Sequence, residues 1–367
     1  MFSNMDLWIK LILASLVAYL ICFAVTPAVK RFAEMIGAVD QPSERRVNKV
    51  PVPRMGGLAI FLGFVLTALL FVPLSTQVTG ILLGAVVIAV MGAVDDIVSL
   101  NPWIKLAGQI VAAIVVIRCG VVFSAISNPN PLSEVTTIEI GWLSLPLTIL
   151  WIVACTNAVN LIDGLDGLAV GVSAISSLTM LVVSLIVSEP VVSLLLAALT
   201  GACLGFMPYN LNPAKIFMGD VGSQMLGFVL ATVSMLGLIK FHAIITFLVP
   251  FLALALPLAD TIFAFFRRIL RGQSPFHPDR EHLHHRLLAL GLSQKQAVAL
   301  MYGISAVLGL FAVLIAGKDP GLRVLCLVLA FAVSITVWYV VFRRNSNLQL
   351  FRRNKEENEK TKQSEEQ

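Results

Sequence analysis

The stretch WIVACTNAVNLIDGLDGLAVG, Trp151 to Gly171, runs an apolar segment of membrane length straight into Asn157, Asn160, Asp163 and Asp166, with glycines beside the carboxylates. A carboxylate at the centre of a membrane helix costs roughly 2.5–3.5 kcal/mol on insertion scales, so something must compensate for this pattern. The rest of the chain is built of similar material. Of its 367 residues 58% are hydrophobic and only 13% charged, and the mean hydropathy is +0.90, whereas about a quarter of residues are charged in soluble domains. The fold class is therefore an all-α polytopic integral membrane protein.

Apolar runs of roughly 17–25 residues predict eleven transmembrane helices. They are placed at Leu7 to Pro27, Gly56 to Val72, Val78 to Val94, Trp103 to Val121, Leu143 to Asn160 and Leu168 to Val187, then at Val191 to Pro208, Gly222 to Leu238, Ala243 to Phe265, Gln296 to Ala316 and Gly321 to Phe342. An odd number puts the termini on opposite sides. One set of loops collects Lys30, Arg31, Arg45, Arg46, Lys49, Arg54, Lys105, Lys215, Arg267, Arg268 and the basic start of the tail, while the other holds only Lys10, Arg118, Lys240, Lys318 and Arg323. The positive-inside rule then sets the N-terminus outside and the C-terminus in the cytoplasm. Residues 1–342 form the transmembrane domain and 343–367 a charged cytoplasmic tail, basic near the membrane and disordered at its end.

The formal charge of +5 follows from this asymmetry. The basic residues are scattered over inner loops without exposed aromatics between them, so they point to anionic lipid headgroups and not to nucleic acid. The first apolar run lacks a basic leader and a small-residue cleavage site and reads as a retained helix. Cys22, Cys119, Cys155, Cys203 and Cys326 all lie in apolar segments and read as packing residues. Between Val121 and Trp142, SNPNPLSE is followed by the alternating VTTIEIGW, which predicts a small external β-hairpin.

On this topology the unusual acids fall on one side. GAVDDIVSLNPW closes the third span with Asp95 and Asp96, NLIDGLDG closes the fifth with Asp163 and Asp166, and NPAKIFMGDVGS opens the eighth with Asp220. Carboxylates at helix C-termini oppose the macrodipole, by about 0.3–1 kcal/mol each, so a cation is wanted there. Asn157, Asn160, Asp163 and Asp166 recur every third residue, a polar strip from membrane depth to the surface. Plainer readings stand beside these. Asp95 and Asp96 could end a helix before a turn, with Asn101 as N-cap and Pro102 at the first position of the next helix, and Asp220 could be a simple cap. Asp260, in LPLADTIFAFFRR, reads as a structural partner of Arg267 or a neighbouring helix.

Two further groups share that face. HPDREHLHHRL, His277 to Leu287, gathers four of the five histidines with Arg280 and Arg286; the spacing is not that of a zinc site, and His and Arg can donate to phosphate oxygens. In DQPSERRVNKVPVPRMGGLAI, Asp40 to Ile60, Arg45, Arg46, Lys49 and Arg54 precede Gly56 and Gly57, where free helix N-terminal N–H groups would favour an anion. Carboxylates for a divalent metal, with His and Arg for a diphosphate, describe phosphoryl-transfer chemistry on a substrate that is both phosphorylated and lipophilic.

The segments VDQP and PRMGG, GAVDD, NAVNLIDGLDGLA, NPAKIFMGDVGS and HLHHRL, in this order, resemble the polyprenyl-phosphate N-acetylhexosamine-1-phosphate transferases over about residues 7–342. The resemblance implies transfer of a sugar-1-phosphate from a cytoplasmic UDP-sugar to undecaprenyl phosphate, with release of UMP, at the cytoplasmic face of a bacterial inner membrane. It implies Mg2+, replaceable by Mn2+, on Asp220, with Asp95 and Asp96 as further metal candidates. Asp95 would be the base toward the lipid phosphate with Asp96 beside it, and Asp163, Asp166, His284 and His285 complete the catalytic candidates. Asn157, Asn160, Asn210, Phe217, His282, Arg286, Arg54 and Lys49 are the substrate-binding candidates, Asn210 and Phe217 by amide contact with and stacking on uracil. HLHHRL resembles the N-acetylglucosamine branch, which starts teichoic acid or O-antigen type polysaccharides, more than the phospho-N-acetylmuramoyl-pentapeptide branch. The expected partners are undecaprenyl phosphate, UDP-N-acetylglucosamine and membrane lipids, with a homodimer left open.

Two other classes compete. A membrane prenyltransferase also sets aspartates and Mg2+ at helix ends but has no use for the His/Arg cluster, and a cation-coupled transporter would carry its acids near the midplane, reachable from both faces. Cysteines placed beside Asp95, Asp163, Asp220 and His284 in a cysteine-free background should react with an impermeant thiol reagent only from the cytoplasmic side. Labelling of any of them in intact cells would break the single-face arrangement.

Overall fold

The computed structural model describes residues 6–41, 50–123, 125–127, 137–238, 243–270 and 282–317, together with the isolated positions 320–321, 324, 328 and 331–332. In chain order the helices are α1 (Leu7–Met35), α2 (Gly57–Phe71), α3 (Thr76–Val98), α4 (Pro102–Arg118), α5 (Ser144–Ile162), α6 (Leu168–Ile186), α7 (Pro190–Asn210), α8 (Gly219–Leu238), α9 (Ala243–Ala253), α10 (Ala255–Leu270), α11 (Leu283–Ala289) and α12 (Gln294–Ala316). Seven of them, α1, α3, α5, α6, α7, α8 and α12, are long and apolar enough to cross a membrane, and α2 is a shorter apolar helix. The chain is a multi-pass membrane protein.

Local chemistry sets the boundaries. Asp6 and Ser75 accept from the backbone N–H of Trp8 and Val78 at the starts of α1 and α3. Asn101 caps α4 ahead of Pro102, as the sequence predicts, and Ser293 with Gln296 forms a reciprocal capping box on α12. The expected hairpin is present as β3 (Ala125–Ser127) antiparallel to β4 (Thr137–Glu139), with Ile126 opposite Ile138. A second ladder that the sequence does not signal pairs β1 (Val39–Asp40) with β2 (Val52–Pro53).

Of the expected spans, the ninth is divided in the structure. Read as one run from Ala243 to Phe265, it is two helices, because Pro257 has no N–H to offer the carbonyl of Ala253. That carbonyl instead accepts from Ser176 Oγ of α6 at 2.5 Å, so the break leaves it satisfied. The eleventh span, Gly321 to Phe342, lies almost wholly outside the described residues, as do Lys49, the tail from 343 and residues 271–281, which include His277.

α8 sits at the centre, packed on α2, α3 and α5, while α1 lies against α7 and α6 against both α7 and α12. Lipid tails offer helices no hydrophobic reward for associating, so close backbone packing and hydrogen bonds must hold the bundle. Gly201 and Gly205 of α7, spaced G-x-x-x-G, supply that closeness: a Cβ on either would collide with the backbone of α1, at Ser15 and Tyr19 respectively. Ser15 Oγ adds a bond to Ala197 O at 3.0 Å, and hydroxyl pairs Ser177–Thr200 and Ser184–Ser193, both 2.8 Å, join α6 to α7. Gly201→Leu is expected to destabilise the bundle by about 1–3 kcal/mol, the usual cost of overpacking, seen as a lower thermal midpoint in detergent. An unchanged midpoint would remove the glycine seam from the account.

Candidate active site

Four of the five acids singled out in the sequence meet around the start of α8. Gly219 takes φ 71°, a left-handed conformation that favours glycine, and a Cβ there would strike the Asp96 carboxylate. The turn aims the backbone N–H of Asp220 and of Val221 at Asp96, at 2.9 and 3.3 Å. Asp96, buried at the C-terminal end of α3, thus caps the N-terminus of α8 from outside, where the dipole of α8 offsets the unfavourable one of α3. Asp220 itself lies in the first turn of α8.

The cation that the helix ends require is Lys105. Its Nζ lies 2.5 Å from Asp95 Oδ2 and 2.8 Å from Asp220 Oδ2, and Asp95 Oδ1 accepts from Leu100 N at 2.6 Å. In the sequence Lys105 counts only toward topology. A signal was nevertheless there: it stands in the first turns of α4, where the dipole disfavours a cation, so a tertiary partner had to be sought. Asp220 Oδ2 also accepts from Gln224 Nε2 at 2.9 Å. Gln224 is a second residue that sequence reasoning missed, as is Ser223, whose Oγ donates to Asn160 Oδ1 at 2.6 Å.

The NLIDGLDG loop runs beneath this cluster. α5 stops at Ile162, Asp163 is its half-buried C-cap, and Gly167 at φ 78° opens the way into α6. Burial, and then the charges of Asp220, Asp96 and Asp166, push the Asp163 carboxyl up to about 8. The strip expected from Asn157 to Asp166 does not stay together. Asn157 turns to Gln109 of α4, at 2.7 Å. Asp166 is buried and accepts from Asn212 Nδ2 at 2.9 Å and Ala214 N at 3.1 Å. Asn210 is buried, with its amide committed at both ends, to Gly167 N and Ile216 O, so it fastens the loop to residue 216. Tyr302 of α12 adds a bond to Gly167 O at 2.5 Å.

The remaining candidates divide similarly. Phe217 is half-buried and sits next to α2, with Gly56 N donating to Phe217 O and Gly57 N to Met218 O, at 2.9 and 2.8 Å. Those two N–H groups are therefore not free for an anion, a correction to the sequence reading that follows from the need to satisfy buried backbone donors. Arg54 pairs with Asp40 at 3.0 Å.

On α11, His282 is turned inward: Asp260 Oδ2 meets its Nδ1 at 2.9 Å and Asp260 Oδ1 accepts from Leu283 N at 2.8 Å. The rim expected at His282 and Arg286 is thus altered, because a buried carboxylate claims the His282 ring, and Asp260 has the structural role read for it, with His282 and Leu283 as partners. His282 stacks on His284, centroids 5.9 Å apart. His284 is buried with its Nε2 facing Gly164, and His285 and Arg286 are half-buried. Burial, with the neighbouring His285, drives His284 down to about 4 from an ordinary 6.5. The unfolded chain therefore takes up this proton first, and the stability His284 contributes is lost as pH falls from 6.5 toward 4.

Among the described residues no three His, Cys, Asp or Glu side chains are gathered to hold a metal unaided. Mg2+ needs only one or two carboxylates, with water and phosphate completing its shell. The donor set at Asp220, Asp95 and Asp96 fits that requirement.

The chain matches the model of glycosyl transferase family 4 over residues 78–238. It is 42% identical to the "Probable undecaprenyl-phosphate N-acetylglucosaminyl 1-phosphate transferase" of Bacillus subtilis (strain 168), covering 84% of this chain and 85% of that one. It is 36% identical to the "Decaprenyl-phosphate N-acetylglucosaminephosphotransferase" of Mycolicibacterium smegmatis, over 91% and 89%. Identity to the "Phospho-N-acetylmuramoyl-pentapeptide-transferase" of Staphylococcus haemolyticus is 32%, over 63% and 76%. The chain belongs to glycosyl transferase family 4.

Lys105 and Asp220 are half-buried and Asp95 is buried, so removing the lysine strands one buried carboxylate, at a cost below the roughly 3–5 kcal/mol of a fully buried pair. Lys105→Met should therefore lower the thermal midpoint in detergent, and adding Asp95→Asn should recover part of that loss. Strict additivity of the two changes would deny the coupling.

Proposed function

We propose that this protein transfers N-acetylglucosamine-1-phosphate from UDP-N-acetylglucosamine to undecaprenyl phosphate, releasing UMP and leaving the lipid-linked diphosphate sugar that starts a cell-envelope polysaccharide of teichoic acid or O-antigen type. What carries the reading is the gathering of Asp95, Asp96 and Asp163 around Asp220, with Lys105 between Asp95 and Asp220, at one end of a membrane bundle, in a chain 42% identical to a relative named for this reaction. A site at helix ends suits an acceptor whose tail stays in lipid while its phosphate reaches water.

In this reading Asp220 holds Mg2+, with Asp95 and Asp96 near it, and Mn2+ can replace it. Bound there, the ion would supply neutralisation of diphosphate charge, which favours attack at phosphorus. Lys105 has three N–H donors; Asp95 and Asp220 take two, and the third serves a phosphate oxygen. An oxygen of the lipid phosphate attacks the sugar-bearing phosphorus of the donor directly, the bond to the UMP oxygen breaks, and UMP leaves. A phosphate monoester is largely ionised near neutral pH, its second pKa being about 6, so Asp95 acting as base has little proton to remove. Asp163, Asp166 and Asn160 shape the floor, while His284, His285 and Arg286 stand on the side from which a diphosphate would be gripped. The cytoplasmic face of a bacterial inner membrane is the proposed location.

Purified protein with undecaprenyl phosphate and UDP-N-acetylglucosamine should release UMP, stop in EDTA and resume with Mg2+ or Mn2+, and Asp220→Asn should abolish turnover. Comparable turnover of UDP-N-acetylmuramoyl-pentapeptide would move the chain to the other branch. No UMP from either donor would end the transferase reading.

A further inference from the structure

Behind Asp220 three amide side chains from three helices form one chain of hydrogen bonds. Gln224 Nε2 of α8 donates to Asp220 Oδ2 at 2.9 Å, Gln109 Nε2 of α4 to Gln224 Oε1 at 2.9 Å, and Asn157 Nδ2 of α5 to Gln109 Oε1 at 2.7 Å. Asn157 Nδ2 also donates to Val153 O at 2.9 Å, and Gln109 Nε2 reaches Asn157 Oδ1 at 3.3 Å. Gln109 and Gln224 are fully buried.

The direction of this chain is dictated from one end. An ionised carboxylate only accepts, so Gln224 must turn its nitrogen to Asp220 and its oxygen inward, which obliges Gln109 to donate to that oxygen and in turn to accept from Asn157. Both N–H bonds of Gln109 and both of Asn157 are thereby used. Polar side chains within apolar helices are expensive and tend to mark function, and a fully connected network is rigid where a broken one is costly. Gln224 and Lys105 both fall on Oδ2 of Asp220, which fixes the rotation of the carboxylate and therefore where Oδ1 stands.

We propose that Gln109, Asn157 and Gln224 are positioning residues that set the orientation of Asp220 and thereby the affinity of this site for its divalent cation. This rests on the reading of Asp220 as the cation ligand. Gln109 and Asn157 act through Gln224 and touch neither the cation nor substrate.

The test is direct binding of Mn2+ to the purified full-length protein in detergent, followed by electron paramagnetic resonance without nucleotide or lipid, beside the thermal midpoint in metal-free buffer. Gln224→Met and Gln109→Met keep length and remove the bonds. Each is expected to weaken Mn2+ binding about tenfold, the scale of one hydrogen bond to a charged group, and the double variant no more than the stronger single, because the bonds are in series. Asn157→Ala, at the far, half-buried end, should weaken it less, and it decides the question if the glutamine variants do not fold. Variants that bind Mn2+ as tightly as the unaltered protein, or whose effects simply add, overturn the relay while leaving the proposed function standing. An unaltered protein that binds no Mn2+ overturns the relay together with the reading of Asp220 as the cation ligand, whereas the transferase reading is decided by UMP release.

Discussion

The site depends on one ammonium group held between two carboxylates. Lys105 joins α4 to the end of α3 through Asp95 and to the start of α8 through Asp220, so three helices are registered by a single side chain. Without it Asp95 and Asp220 would face one another as like charges between the end of α3 and the start of α8. Asp96 relieves its own charge differently, by closing the open N–H groups of α8. Each carboxylate thus stands at the boundary between two helices, where it contributes to their packing.

The same economy applies to the loop after α5. Asp166, Asn210 and Tyr302 tie it to the 212–216 segment and to α12, and His284 leans on it from α11. A floor fastened on several sides holds Asp163 in one place beside Asp220 and Asp96. The side chains that fasten it are polar residues in apolar surroundings, so they are easily taken for ligand-binding groups.

Much of this could be read in the sequence, and the misses have physical causes. Helix ends at Asn101–Pro102 and at Asp163–Gly164 follow from capping and glycine chemistry, and Asp95, Asp96, Asp163 and Asp220 are grouped because the expected topology assigns them one face. Lys105 was hidden by the very rule that orients the chain, since an inner lysine satisfies that rule without further explanation. Gln109 and Gln224 are single polar residues in apolar helices, silent until the partner across the bundle is known. The split between α9 and α10 was masked by unbroken apolar composition, although Pro257 is where it had to fall. Asn210 and His282 have the right identities for ligand contact, but whether an amide or imidazole faces a ligand or a neighbouring strand of the protein depends on distances of a few ångströms that no pattern encodes.

The seam between α1 and α7 has a consequence for biosynthesis. Ser15 and Ala197 are 182 residues apart, and at about 5–20 residues per second of synthesis the first helix waits roughly 10–40 s for the partner that covers its groove. In water such an uncovered face would invite aggregation. In a bilayer the small side chains of Ala14, Ala18 and Cys22 rest against acyl chains meanwhile, and the helix can be inserted early and matched late, which is the order in which a ribosome must deliver it.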